Sequence, residues 1–180
     1  MSEALLIDVS DGIMTLTLNR PEAKNAVNLE LATAIAEAIT ALDADDGIRA
    51  GILTGAGQTF CSGMDLKAFV SGELPYIKGR GFGGLVEAPP KTPLIAAVEG
   101  YALAGGFELA LSCDLIVAAN NARFGIPEVK RGLAAGAGGL MRLPRQLPYR
   151  LAMELALTGD FLDADRARDL GLINALTEPG

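Results

Sequence analysis

The chain has 180 residues, half of them hydrophobic, which is enough for one sizeable core and excludes a disordered chain. Its 15 basic and 22 acidic residues leave a formal charge of −7, which argues against a nucleic-acid binder and against docking on an acidic membrane. With no histidine and only two cysteines, Cys61 and Cys113, His-based general bases, Ser-His and Cys-His nucleophiles and His-containing metal sites are excluded, and a disulfide scaffold is not expected.

The start, "MSEALLIDVS", lacks the basic end and long apolar run of a secretory signal. "LLIDV" and "GIMTLTLN" (12–19) read as strands joined by the turn "SDG". "NRPEAKNAVN" is a loop, and a helix follows over 29–42, with Leu31, Ile35, Ile39 and Leu42 on one face and Asn28 as cap. "IRAGILTG" (48–55) is a short buried strand, and "AGQTFCSGMDLKAF" is a loop entering a short helix at Asp65.

The glycine- and proline-rich stretch 70–90 is expected to be a mobile, solvent-facing segment with a broken helix. "PLIAAVEG" (93–100) is a strand, "GGFELALSC" a helix and "DLIVAA" (114–119) a strand. The turn-rich "RFGIPEVKRGL" leads to helices at "GAGGLMRL", "YRLAMELAL" and "DADRARDLG", the last capped by Asp163 and stopped by Gly171, then a strand "LINAL". Alternating strands and helices indicate an α/β fold with mainly parallel strands. Glu99, Glu108 and Asp114 interrupt the most apolar region, so no uncharged window reaches the length of a membrane span. A soluble, cytoplasmic protein is expected.

Two loops place glycine just before a helix start, "GMDL" (63–66) and "GGFE" (105–108). The first N–H groups of a helix have no internal partner, and glycine lets a ligand come close to them. Two such starts facing each other would make an oxyanion hole; tight packing or simple capping explains the same glycines. Glu108 opens an apolar helix, where the dipole alone favours it, and Glu128 stands in "IPEVKRG", where a solvated turn residue or a partner for Lys130 or Arg131 is the alternative. If both carboxylates reach one pocket, one can take a proton while the other delivers one. "GAGQTF" lacks the third glycine of a GxGxxG, no GxxxxGK[ST] occurs, and Ser62 is not in a GxSxG.

"NRPEAKNAVN", "GILTGAGQTFCSGMDLKAF", "KTPLIAAVEGYALAGGFELALSCDLIVAANNARFGIPEVKRGL" and "GAGGLMRLPR" resemble consecutive signatures of the enoyl-CoA hydratase/isomerase (crotonase) superfamily, over essentially the whole chain. The resemblance implies a single acyl-CoA-binding catalytic core over 1–180 with a ββα-spiral fold. It implies that the backbone N–H groups of Met64 and Gly105 hold the thioester oxygen. It further implies that Glu108 activates water while Glu128 protonates C2 of a trans-2-enoyl-CoA. Lys24, Asn25 and Ala26, with Met64, Asp65, Leu66 and Lys67, correspond to the lining of the CoA tunnel, the two lysines as candidate phosphate contacts. No cofactor is implied beyond the coenzyme A of the substrate.

Relatives of this kind continue into C-terminal helices that help cover the site and pack subunits into trimers or paired trimers; those helices are missing after "ALTEPG". A homotrimer or hexamer is thus expected of the longer protein. An enoyl-CoA isomerase working with Glu128 alone and a non-catalytic acyl-CoA binder stay open as alternatives. A dehalogenase of the superfamily would need a histidine that is absent.

Overall fold

In the computed structural model, which describes residues 3–180, strand β1 (Leu5–Ser10) turns back through Asp11 and Gly12 to pair antiparallel with β2 (Ile13–Leu18). Every later strand of this sheet runs parallel to its neighbour. β3 (Ala50–Gly55) lies on β2, β6 (Leu94–Val98) on β3, β8 (Leu115–Ala119) on β6, and β11 (Ala175–Thr177) on β8. Between β3 and β6 lies a small hairpin, β4 (Tyr76–Ile77) and β5 (Gly81–Phe82).

A second, shorter row of backbone pairing runs beside the main sheet. β7 (Tyr101–Leu103) pairs with β9 (Arg123–Gly125), which pairs with β10 (Leu162–Asp163). Single bridges between Cys61 and Ala102 and between Val27 and Met64 extend the row. Each turn of the chain therefore gives one strand to the main sheet, one short segment to the second row, and then a helix. The helices α1 (Leu29–Ala44), α2 (Leu66–Val70) and α3 (Gly105–Ala110) each follow the second-row segment of their turn. This is the expected ββα spiral. Three further helices complete the chain: α4 (Gly139–Gln146), α5 (Tyr149–Thr158) and α6 (Ala164–Asp169).

The alternation in β2 puts Met14, Leu16 and Leu18 in the core, and the one-sided spacing in α1 buries Leu31, Ile35, Ile39 and Leu42 against it. Asn28 caps α1 by accepting the Leu31 N–H at 3.0 Å, and Asp163 caps α6 through Arg166 N–H at 2.9 Å, as their positions predict. Phe107 of α3 and Phe124 of β9 meet with ring centroids 5.4 Å apart, joining two turns of the spiral. Among the described residues no helix is long and apolar enough to cross a membrane.

Several elements differ from expectation. The stretch 70–90 faces solvent only in its first half: most of residues 70–79 are exposed, whereas 81–86 are buried, with Phe82, Leu85 and Val86 in the core where the chain folds inward through the β4–β5 hairpin. Gly84 serves close packing, since a Cβ there would collide with the Ala32 carbonyl of α1, whereas Gly72 and Gly79 stand in open space. Helix α3 stops at Ala110 because the Ser112 hydroxyl takes the Glu108 carbonyl at 2.7 Å, while its N–H turns to Leu109 O. The last strand starts at Ala175 rather than 172, because Asn174 Oδ1 accepts the Ile116 N–H and ends the ladder there. β7, β9 and β10 are two or three residues long, too short for any periodicity to mark them.

The junction between turns is tight at Gly106, where a Cβ would collide with the carbonyl of Cys61. Gly106→Ala is therefore expected to cost about 2 kcal/mol or more of unfolding free energy in a denaturant titration. Wild-type stability in that variant would disprove the close approach of α3 to the second row.

Candidate active site

Helix α3 begins from Ala104, whose backbone is held at φ 52° and ψ −129°, a region costly for a residue with a Cβ, by about 1–3 kcal/mol. Ala104 N–H is anchored on Gly125 O at 2.8 Å, so the strained turn is fixed to β9. It aims the Gly105 N–H out of the helix start. Gly63 lies alongside at φ +104°, and a Cβ there would be 3.2 Å from Gly105 N and 2.9 Å from Ala104 Cβ. Only glycine lets these two backbones touch. The Met64 N–H, next in the chain, has no acceptor among the described residues, and neither has the Gly105 N–H. The two helix starts singled out in the sequence are thus brought side by side, each with a free donor.

Glu108 sits one turn into α3 and is 3% exposed. Its Oε1 accepts the Gly139 N–H at 2.8 Å. The carboxylate therefore caps α4 rather than its own helix, although the sequence placed it equally well as a dipole-friendly residue of α3. Burial pushes its pKa up to about 7; the charge of Glu128 adds to the rise, and the Gly139 and Ala137 amides and Arg142 oppose it. Glu128 lies in a 3-10 turn over Pro127–Arg131, directly after β9. Its Oε2 is buried and has no hydrogen-bond partner, and burial raises its pKa too. Lys130 does not pair with it; its ammonium meets Asp160 at 2.9 Å. Burial thus disfavours the ionised form of both carboxyls, and the charge of Glu128 acts on Glu108, so their titrations are coupled.

The remaining sequence candidates divide into two groups. Lys24 and Lys67 are exposed, and their loops touch through Ser62 N–H to Lys24 O at 3.0 Å. Leu66 is exposed and Met64 half-buried beside them. Asn25, by contrast, is fully buried, accepting the Arg20 N–H at 2.9 Å and donating to Ala56 O and Thr59 O at 2.9 and 2.6 Å. Its side chain holds the loop together, with Ala26 buried next to it. Asp65 caps α2 and forms an ion pair with Arg20 at 2.9 Å. Cys61 is inert, its thiol pushed up to about 12 by burial. No metal-binding cluster occurs among the described residues.

Sequence reasoning missed four contributors. Gly139 supplies the N–H to Glu108, and a Cβ on it would lie 3.0 Å from Glu108 Oε1; the run "GAGG" was the available signal. The ring of Phe82 lies where a side chain on Gly105 would go, with Tyr76 edge-on at 5.7 Å. Nothing local marked either aromatic. Ala104 shows no trace of its strain in the sequence.

The spiral and the paired carboxylates beside free backbone donors define a crotonase-fold protein. Residues 8–178 match the family model described as enoyl-CoA hydratase/isomerase, and the chain belongs to that family. It is 61% identical to the crystal structure of enoyl-CoA hydratase EchA1 from Mycobacterium marinum, with TM-score 0.97, covering 99% of this chain and 71% of that one. A carnitinyl-CoA dehydratase structure from Mycobacterium avium is 48% identical with TM-score 0.97, over 99% and 72% of the two chains. The mevalonyl-coenzyme A hydratase of Aspergillus fumigatus is 42% identical over 170 residues, 92% of this chain and 63% of that protein. The chain thus spans less than two thirds of that relative's length.

The raised pKa of Glu108 has a consequence for stability. A buried acid that resists ionisation leaves the folded state holding more protons than the unfolded state, so stability falls as pH rises. The cost is absent below about pH 4.5, the ordinary carboxyl value, and complete above about 7, where it amounts to on the order of 3 kcal/mol. Glu108→Gln keeps an acceptor for Gly139 and loses the charge. It is expected to match wild type near pH 4.5 and to exceed it in unfolding free energy at pH 8. Equal stability of the two at pH 8 would show that the carboxylate is not desolvated.

Proposed function

We propose that the chain is an enoyl-CoA hydratase that adds water across the C2–C3 double bond of a trans-2-enoyl-CoA. The observation that supports it most is the paired Glu108 and Glu128, one bonded to the Gly139 amide and the other with an unpartnered buried oxygen, next to two unused backbone donors. An acyl-CoA binder without chemistry has no need of two desolvated carboxyls, and an isomerase needs one base and no water.

In the proposed reaction the thioester carbonyl oxygen accepts hydrogen bonds from Met64 and Gly105 N–H. Glu108, as carboxylate, takes one proton from water while the water oxygen bonds to C3. The C2–C3 π electrons move toward the thioester, and the enolate oxygen is held by the two amides, whose hydrogen bonds strengthen as charge develops. Glu128, as carboxylic acid, gives its proton to C2. The proton gained by Glu108 and that lost by Glu128 balance, and exchange with solvent resets the pair. The reverse sequence eliminates water, in keeping with the relatives named as dehydratases.

Lys24 and Lys67 are assigned to the phosphates of coenzyme A, as point charges at the mouth of the site, with the backbone of Asn25, Ala26, Asp65 and Leu66 between them. No further cofactor is required. A homotrimer, or a hexamer of two trimers, belongs to the same proposal, as does a cytoplasmic location. The exposed Met141, Tyr149, Leu157 and Phe161 on the α4–α5 side support a face that packs on further polypeptide.

Purified protein is expected to remove the enoyl-thioester absorbance of crotonyl-CoA. Glu108→Gln and Glu128→Gln are each expected to slow this by roughly 10²–10⁴-fold. Hydration at the wild-type rate by the Glu108 variant would refute its role as base, and an intact double-bond shift without hydration would favour the isomerase.

A further inference from the structure

Arg142 stands on α4, one turn beyond the Gly139 that holds Glu108. Its guanidinium donates through Nη2 to the carbonyl of Val86, in the segment that folds inward behind the β4–β5 hairpin. It bends back over Gly138, where a Cβ would collide with Nη1, and Gly138 adopts φ +106°. Glycine at 138 is thus favoured by its backbone, and a side chain there would displace the guanidinium. Among the described residues no carboxylate is ion-paired with this half-buried cation. The charged or titratable groups that act on Glu108 are Glu128 from the 3-10 turn, Arg142 from α4 and Tyr76 from β4. Arg142 is the cation of that set.

We propose that Arg142 is a positioning residue for the carboxylate pair: by clamping the start of α4 to Val86 it fixes the Gly139 amide on Glu108 and supplies the positive charge that faces it. The guanidinium acts through Glu108 and does not touch substrate. Its charge favours the ionised, proton-accepting form of Glu108, against burial and against Glu128. The kinetic part of this inference rests on the hydratase reading; the titration part does not.

Two variants separate charge from hydrogen bonding. Arg142→Gln retains a donor for Val86 and has no charge, whereas Arg142→Lys retains the charge without the fork. Two readouts are compared: the acid limb of kcat/KM for crotonyl-CoA, and the carboxyl titration of Glu108 by carbon-13 NMR, assigned through its loss in Glu108→Gln. In Arg142→Gln both are expected to move together to higher pH, so that the fraction of full rate remaining at pH 6 drops by about threefold. In Arg142→Lys both should stay at their wild-type position. An unmoved limb and titration in Arg142→Gln overturn the inference. So does a shift of equal size in Arg142→Lys, which also decides the matter if Arg142→Gln does not fold. Because the NMR titration needs no turnover, a chain that fails to hydrate crotonyl-CoA refutes the hydratase reading while still testing Arg142.

Discussion

A single hydrogen bond joins the parts on which the site depends. Glu108 is enclosed by the core, and a carboxyl taken out of water must find a donor or stay neutral. The structure supplies one strong donor, the Gly139 N–H at 2.8 Å. That bond links α3, on the third turn of the spiral, to the start of α4, well along the chain. A side chain at 139 would crowd the oxygen being held, at 3.0 Å, and shift the carboxyl by a few tenths of an ångström. The position of α4 relative to α3 is therefore set by electrostatics as much as by packing.

The same economy explains why the site sits where the turns meet. Met64 belongs to the second turn, Gly105 and Glu108 to the third, and Glu128 to the fourth. Each is delivered by the short segment that follows a main-sheet strand, so the second row of pairing acts as a spacing rail. Asn25 extends the arrangement to the first turn through its bonds to Arg20, Ala56 and Thr59. Costs are concentrated at the same place: strain at Ala104, a desolvated acid at Glu108 and an unpartnered oxygen at Glu128. Such costs persist only where the surrounding fold over-determines the geometry.

Much of this was legible in the sequence, for identifiable reasons. β2 and α1 carry clean periods of two and of 3.6, and Asn28 and Asp163 are caps whose side chains do what their positions indicate. Gly63 and Gly105, next to helix starts, were visible as places where backbone could meet a ligand. What was illegible depends on contacts distant in the chain. Residues 79–86 look like a loop because glycine dominates them, and only distant contacts show that Gly84 is fitted to Ala32 and Ala36 of α1 and Gly83 to Leu109 of α3. The bonds of the Asn25 side chain to Ala56 and Thr59 are of the same distant kind. Arg142 carried no mark at all, since its partner is a carbonyl in a different segment.

The missing histidine acquires a further meaning beside these carboxyls. Both thiols are driven up by burial, and the chain has no imidazole, so the group set to about 7 is Glu108. Its proton traffic is then not hidden under a background of ordinary histidines. If a thioester binds beside the pair as proposed, the heat of binding would depend on the ionisation enthalpy of the buffer. The slope of that dependence would count the protons the pair takes up or releases, making the protein a calorimetric reporter of its own buried carboxyls.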